Sequence, residues 1–258
     1  MQGSRILLKG AAVMTVFSLL GKLLGVLLRL FLSSRIGSEG LGLYQLIMSV
    51  YGLFATLSTA GLTVAVSRLT AEKGERCLSD GVRTLHASLP LGLGVSLAAT
   101  AMLWGFAPLL AKTAVGDQST ASSLRILAFS MPFMAAAACF KGWFIARRQV
   151  LRSSSASLFE QCVKFAVMAF FLLTVMGNTN DPATLCKGIV LGVTVGEASS
   201  FCYLLCAYLF LKGRQPKKEF HPTETFGYSL RTLAAVTIPM GLSVMVTSLL
   251  HTAENLLI

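Results

Sequence analysis

The sequence predicts an all-α membrane protein: a six-helix transmembrane lobe followed by the first helix of a second, incomplete lobe. Three observations carry that prediction. The 258 residues are 54% hydrophobic and only 13% charged, whereas a soluble domain is about 25% charged. The apolar residues gather into runs long enough to cross a hydrocarbon core of about 30 Å, which takes roughly 20 helical residues. The basic residues collect in alternate connecting segments, as the positive-inside rule requires of a multi-pass protein.

Each run reads as a helix, because lipid offers the backbone no hydrogen-bond partner and a span must satisfy its own N–H and C=O groups. The alternating ten-residue segments of a β-barrel are absent. The first helix covers 6–32. It is too long for a signal peptide, and no small-x-small cleavage site follows it. The second covers 41–66, and the third, 85–111, carries Pro90 and Pro108. Between them the polar stretch 68–86 has room for one short surface helix. The fourth covers 122–146 with Pro132, the fifth 155–177 and the sixth 184–211. "KGRQPKKEFHPTET", 212–225, has two prolines and a charge run, and it reads as a basic linker. A seventh helix, 226–257, contains Pro239 near its middle, where the lost backbone donor predicts a kink. The domain reading is therefore a lobe over 1–211, a cytoplasmic linker over 212–225, and the opening helix of a truncated second lobe over 226–258.

The net charge of +11 is distributed by side. With the N-terminus inside, the inner segments hold Arg5 and Lys9, then Arg68, Lys73, Arg76 and Arg83, then Arg147, Arg148 and Arg152, then Lys212, Arg214, Lys217 and Lys218; the outer loops hold Arg35 and Lys112. The basic excess thus faces the cytoplasm and anionic lipid headgroups in a bacterial cell membrane. It lacks the interleaved aromatics of a nucleic-acid surface, so no nucleic-acid partner is expected.

Six cysteines are present, none in a CxxC pair; Cys202 and Cys206 share a helix face, a spacing read as packing. The three histidines lack carboxylates at ligand spacing, and no hydrolase, nucleotide or metal motif occurs. The sequence offers no catalytic set and calls for no cofactor or metal. Glycines at 21 and 25, and at 188, 192 and 196, form GxxxG-type faces that allow helices to approach closely.

Charges within the spans are the informative residues, because an unpaired ion in hydrocarbon costs several kcal/mol. Arg125, Lys187 and Arg231 lie near span ends and reach an interface by snorkelling. Lys22, Arg29, Lys141, Glu160, Lys164 and Glu197 lie deeper. Lys22 is about 24 Å along an outward-running helix and Glu197 about 21 Å from the inner end of an inward-running one, at 1.5 Å per residue. Their shared depth makes a Lys22–Glu197 pair the structural alternative to a binding role. Lys22 and Arg29, seven apart, lie within about 20° of one face. Glu160 and Lys164 have the favourable i,i+4 order, and Lys141 lies at a similar depth to Glu160. That spacing gives a Lys141–Glu160–Lys164 cluster, either a structural ion pair or part of a site.

"GKLLGVLLRLFLSSRIGSEGLGLYQL", followed by "STAGLTVAVSRLTAE", resembles the stage V sporulation protein B group of polysaccharide-type flippases. That group sits within the multidrug/oligosaccharidyl-lipid/polysaccharide exporter superfamily, with the lipid II flippases and the MATE transporters. The resemblance rests on Lys22 and Arg29 flanking Gly25, then Gly37, Glu39, Gly40, Gly42, Leu43 and Tyr44, and on "LFEQCVKF" at 158–165. Members often have proline where this chain has Thr63, and they carry two six-helix lobes. The resemblance implies translocation of a lipid-linked oligosaccharide or peptidoglycan precursor by alternating access, for envelope or spore-cortex synthesis. It further implies a missing C-terminal lobe as partner, with Lys22 and Arg29 facing the pyrophosphate of the lipid substrate. Two alternatives stand beside it: a cation-coupled multidrug antiporter using Glu197, and a non-transporting scaffold in envelope assembly.

Overall fold

A computed structural model describes residues 2–59, 61–74, 78–116, 118–175 and 182–212, together with Val246 and Leu250. The expected linker and seventh helix lie otherwise outside the described residues. Six helical segments are long and apolar enough to cross a membrane: Ala12–Gly37, Gly40–Glu72, Thr84–Thr113, Ala121–Ala146, Val150–Thr174 and Thr184–Leu211. They are called the first to sixth spans below. Large apolar side chains such as Leu19, Leu30, Phe170 and Phe210 point outward from them, as a lipid-facing surface requires. The protein is a multi-pass membrane protein.

Where the sequence predicts loops, helix often continues. The expected connection between the first two helices contracts to one residue inside a helical run, Gln2–Thr59, at Gly37 with φ 70° and ψ −176°. Glycine alone populates that conformation readily. The second span is broken at Gly61, φ 75°, and resumes as helix over Leu62–Gly74. Thr63, where proline is common in the resembling group, therefore leaves the break intact: glycine makes it. The Thr63 hydroxyl instead donates to the Ala138 carbonyl of the fourth span at 3.2 Å. The third helix starts earlier than expected and runs Leu78–Leu110, straight through both of its prolines. The fifth also starts early, at Val150.

The fourth span divides into Ala121–Ala128 and Ser130–Ala146. Pro132 explains the division. It has no N–H to offer the carbonyl four residues back, at Ala128. Thr100 of the third span donates its hydroxyl to that carbonyl at 3.1 Å, and Thr194 of the sixth donates to the Ile126 carbonyl at 3.3 Å. The broken segment is thus pinned by its neighbours, and it is the most enclosed of the six spans: about two thirds of its most apolar stretch is buried, whereas almost all of the first span's is not.

Two apolar layers hold the bundle. The far layer includes Leu28 and Leu32 of the first span and Ile47, Leu103, Leu127, Met168 and Ile189 from the other five. The near layer lies where the first, third and fifth spans start. It is built from Leu62, Leu85, Phe140, Trp143, Ala156, Leu204 and Tyr208, and no first-span residue belongs to it. The first span is consequently fastened at its far half, where Phe31 meets Phe165 with ring centroids 5.6 Å apart. Its near half stands along the outside of the lobe.

The glycine faces behave differently from one another. A Cβ on Gly188 or Gly196 would collide with Phe171 or Lys164 of the fifth span, so these glycines bring the fifth and sixth spans into close contact. A Cβ on Gly25 would meet nothing within 4 Å, so the 21/25 pair forms no tight seam. The expected packing of Cys202 and Cys206 is also not found. Both are exposed, whereas Cys139 and Cys186 are buried, because the 202/206 face of the sixth span turns away from the other spans.

Candidate functional site

The six deep charges separate into two places. Lys141, Glu160, Lys164 and Glu197 come together where the fourth, fifth and sixth spans meet. Lys141 Nζ is 3.2 Å from Glu160 Oε2, and Lys164 Nζ is 2.7 Å from Glu160 Oε1 and 2.9 Å from Glu197 Oε1. All four side chains are largely buried, Glu197 being 9% exposed and Lys164 13%. Two cations and two anions cancel. The arrangement extends the three-residue cluster expected from spacing by one member, Glu197.

Backbone packing makes the quartet possible. Gly196 leaves room for the Lys164 stem, whose Cγ, Cδ and Cε lie where a Cβ at 196 would project. The ammonium is thereby carried across to Glu197 on the sixth span. A cavity of about 180 Å³ adjoins the quartet, lined by Thr59, Thr63, Met134, Ala138, Lys141 and Glu197.

The Lys22–Glu197 pairing expected from depth is not formed. Glu197 is engaged by Lys164, and Lys22 lies elsewhere, for two reasons. The fifth span packs against the first, where Phe31 meets Phe165, and against the sixth, where its own Lys164 takes Glu197. The registers also differ. A Cβ on Gly21 would touch Leu158 at 3.9 Å, which sets Lys22 level with residues 158–161, about 5–9 Å nearer the start of the fifth span than Lys164.

Lys22 instead lines a groove of about 450 Å³ between the near halves of the first and fifth spans. One wall carries Met14, Phe17, Ser18 and Gly21 with Lys22; the other carries Ser153, Ser154, Ser157, Leu158 and Gln161. A shallower depression on the opposite flank of the first span also includes Lys22 and Ser18. Among the described residues, the side chains of Lys22, Ser18, Ser154 and Gln161 have neither ion pair nor hydrogen bond. Arg29 is exposed and lies outside the groove, about 10 Å further along the helix. Arg125, near a span end, lies over the Trp104 ring at 5.1 Å.

The serine wall is missed by a reading that ranks residues by charge. Its signal is nonetheless present: "RSSSAS" at 152–157 is a polar interruption in an apolar helix, and 153, 157 and 161 recur at i,i+4 on one face.

A family model described as polysaccharide biosynthesis protein matches residues 7–258. The chain belongs to that family. It is 28% identical over 236 residues to stage V sporulation protein B of Bacillus subtilis (strain 168), covering 90% of this chain and 45% of the relative. It is 25% identical over 160 residues to the uncharacterized membrane protein YabM of the same organism, covering 62% of this chain and 29% of the relative. The chain spans less than half the length of these relatives. Among solved structures, it superimposes with a TM-score of 0.72 and 18% identity on an outward-facing multidrug resistance MATE family transporter of the MOP superfamily, covering 91% of this chain and 52% of that one. A MOP superfamily transporter from Pyrococcus furiosus, described as having a binding pocket of reverse polarity, matches with a TM-score of 0.71 and 19% identity over 91% and 52%. The fold is that of one half of a MATE-type transporter.

Proposed function

We propose that this chain supplies the N-terminal lobe of an exporter that carries a lipid-linked, pyrophosphate-bearing sugar across the cell membrane by alternating access. Lys22 would meet the phosphates, with Arg29 further along the same face. Residues 1–211 form the lobe, 212–225 a cytoplasmic linker, and 226–258 the first helix of the opposing lobe, with the N-terminus in the cytoplasm. The carrying observation is the Lys22 amine in an open groove within a span, without a counter-ion among the described residues. An anion crossing a low-dielectric region requires such a cation to offset its desolvation. The family membership and the likeness to the stage V sporulation protein support a sugar-lipid cargo and an envelope or cortex role. Glu197, the carboxylate a cation-coupled antiporter would use, is held by Lys164, which weighs against the antiporter reading.

The test is reconstitution of the protein in its full-length context, followed by Lys22→Gln. A large loss of lipid-linked sugar flipping, with normal insertion and expression, is expected. Retention of flipping by Lys22→Gln/Arg29→Gln overturns the assignment, and a scaffold without transport would tolerate the same pair in cell-envelope assays. Cysteine introduced at Arg148 or Lys217 should escape labelling from outside the cell; outside labelling reverses the orientation.

A further inference from the structure

The geometry points to a second, uncharged half of the same site. We infer that Ser153, Ser154, Ser157 and Gln161 of the fifth span form the subsite that holds the sugar of the cargo while Lys22 holds its phosphate. This inference rests on the reading of Lys22 given above, and its three serines are residues that neither charge nor family motif singled out; Gln161 belongs to the "LFEQCVKF" stretch.

Three observations carry it. The groove has room: about 450 Å³ lies within the range of ligand pockets, roughly 300–1,000 Å³. Its two walls differ chemically, the amine of Lys22 and the hydroxyl of Ser18 facing hydroxyls and an amide across the gap. That division matches a ligand with an anionic end and a polyhydroxyl body. The hydrogen-bonding capacity is also unspent. Ser154 and Gln161 have no hydrogen bond among the described residues, and the one from Ser157 is a long 3.5 Å contact to the Ser153 carbonyl within its own helix. Free polar groups inside a span are costly against lipid tails, so a groove that keeps four of them, Lys22, Ser18, Ser154 and Gln161, suits a polar ligand. By contrast, Ser155, on a different face of the same run, is engaged with the Tyr203 hydroxyl at 2.9 Å and packs the lobe. The serine run thus divides between structure and groove.

The anionic end alone would fit two sources, the phosphate of the cargo lipid or that of a bulk anionic phospholipid. The hydroxyl wall distinguishes them by extent, because a sugar ring presents several hydroxyls and an amide to it, whereas the glycerol headgroup of phosphatidylglycerol presents two hydroxyls.

The experiment measures binding to the purified full chain in neutral detergent by native mass spectrometry. Three probes are compared: an isoprenyl diphosphate carrying one N-acetylhexosamine, the same isoprenyl diphosphate without sugar, and phosphatidylglycerol. In Ser153→Ala/Ser154→Ala/Ser157→Ala, binding of the sugar-bearing lipid should weaken about tenfold, as expected for several lost hydrogen bonds. The sugar-free lipid should change less than about twofold. Alanine is a good helix former, so the variant keeps its helix, which an unchanged melting temperature verifies. Ser154→Thr/Ser157→Thr, which keeps the hydroxyls, should retain the preference for sugar. Lys22→Gln should weaken both diphosphate lipids by the same factor. Equal weakening of all three probes by the alanine variant, or no weakening of any, overturns the sugar subsite. A site that prefers phosphatidylglycerol does so as well. If Lys22→Gln leaves both diphosphate lipids unaffected, or neither binds the unaltered chain, the phosphate reading fails, and the subsite with it. A Lys22 effect without a serine effect removes the subsite alone.

Discussion

The two charged regions border adjoining faces of one helix, the fifth span, where Ser157 and Lys164 are seven residues apart, and they differ in every other respect. On the face toward the sixth span, Lys164 is gripped by two glutamates in a buried, neutral quartet. On the face toward the first span, Lys22 stands in an open groove among hydroxyls. Both lysines lie within apolar helices, so composition treats them alike. What separates them is the company that packing provides. The fifth and sixth spans are drawn together by Gly188, Gly192 and Gly196, whose missing side chains are filled by Phe171, Met168 and Lys164. The first and fifth spans meet mainly in their far halves and leave a gap at the near end. A close seam neutralises its charges; a gap leaves a charge available.

Five substitutions would break or sharpen that contrast. The exchange Lys22→Glu/Glu197→Lys has the largest expected effect. It puts a third cation beside Lys164 and Lys141, removes the carboxylate that holds Lys164, and plants an anion in the groove. Melting should fall by more than for either single change, and flipping should not return. Recovery of flipping would mean that Lys22 and Glu197 are paired, and the two regions would become one.

Lys164→Met follows. It leaves Glu160 with only Lys141 and Glu197 with no cation, and breaking a buried ion pair typically costs about 3–5 kcal/mol. A melting shift of roughly 10 °C downward is expected for a chain of this size. Lys164→Met/Glu197→Gln should regain much of it, because one Lys–Glu pair then remains. A single variant as stable as the unaltered chain would show that the quartet holds nothing together.

Gly196→Val tests how the quartet is built. The added side chain needs the space of the Lys164 stem, and overpacking costs about 1–3 kcal/mol. Thermal melting should report that loss.

Lys22→Gln should leave melting nearly unchanged, within about 0.5 kcal/mol as for other exposed positions, while flipping collapses. A large drop in stability would show that Lys22 has a structural partner. Gly25→Ala is expected to be the smallest change of all. Its Cβ would enter open space, and a slight gain, at most about 1 kcal/mol, should follow from helix propensity. Destabilisation there would reveal a helix seated against Gly25, in contrast to the open face observed.

Much of the fold was legible because lipid removes alternatives. Once a run is apolar and long enough, it must be a helix, and all six predicted spans of the lobe are present. Connections were less legible. A reading that looks for polar loops expects one around residues 33–40, but the chain changes course at Gly37 alone, because one residue with positive φ suffices. The same applies at Gly61. Two GxxxG patterns of equal quality gave one tight seam and one open face, since spacing states what a helix can present and not what lies opposite.

By itself the sequence determined the class, the six spans of the lobe, the alternation of basic segments and the i,i+4 pairing of Glu160 with Lys164, all of which depend on composition and on one helix's own geometry. Only the tertiary structure decided the partner of each remaining charge. Depth along a helix is read by counting, and it puts Lys22 and Glu197 at one level. Contact also requires adjacency and register between helices, and these are set by which small residues let backbones close together. Gly196 admits Lys164 to Glu197, and Gly21 against Leu158 sets Lys22 beside the serines. Non-bonded packing between spans far apart in sequence made those choices, and no periodicity within a single span encodes them.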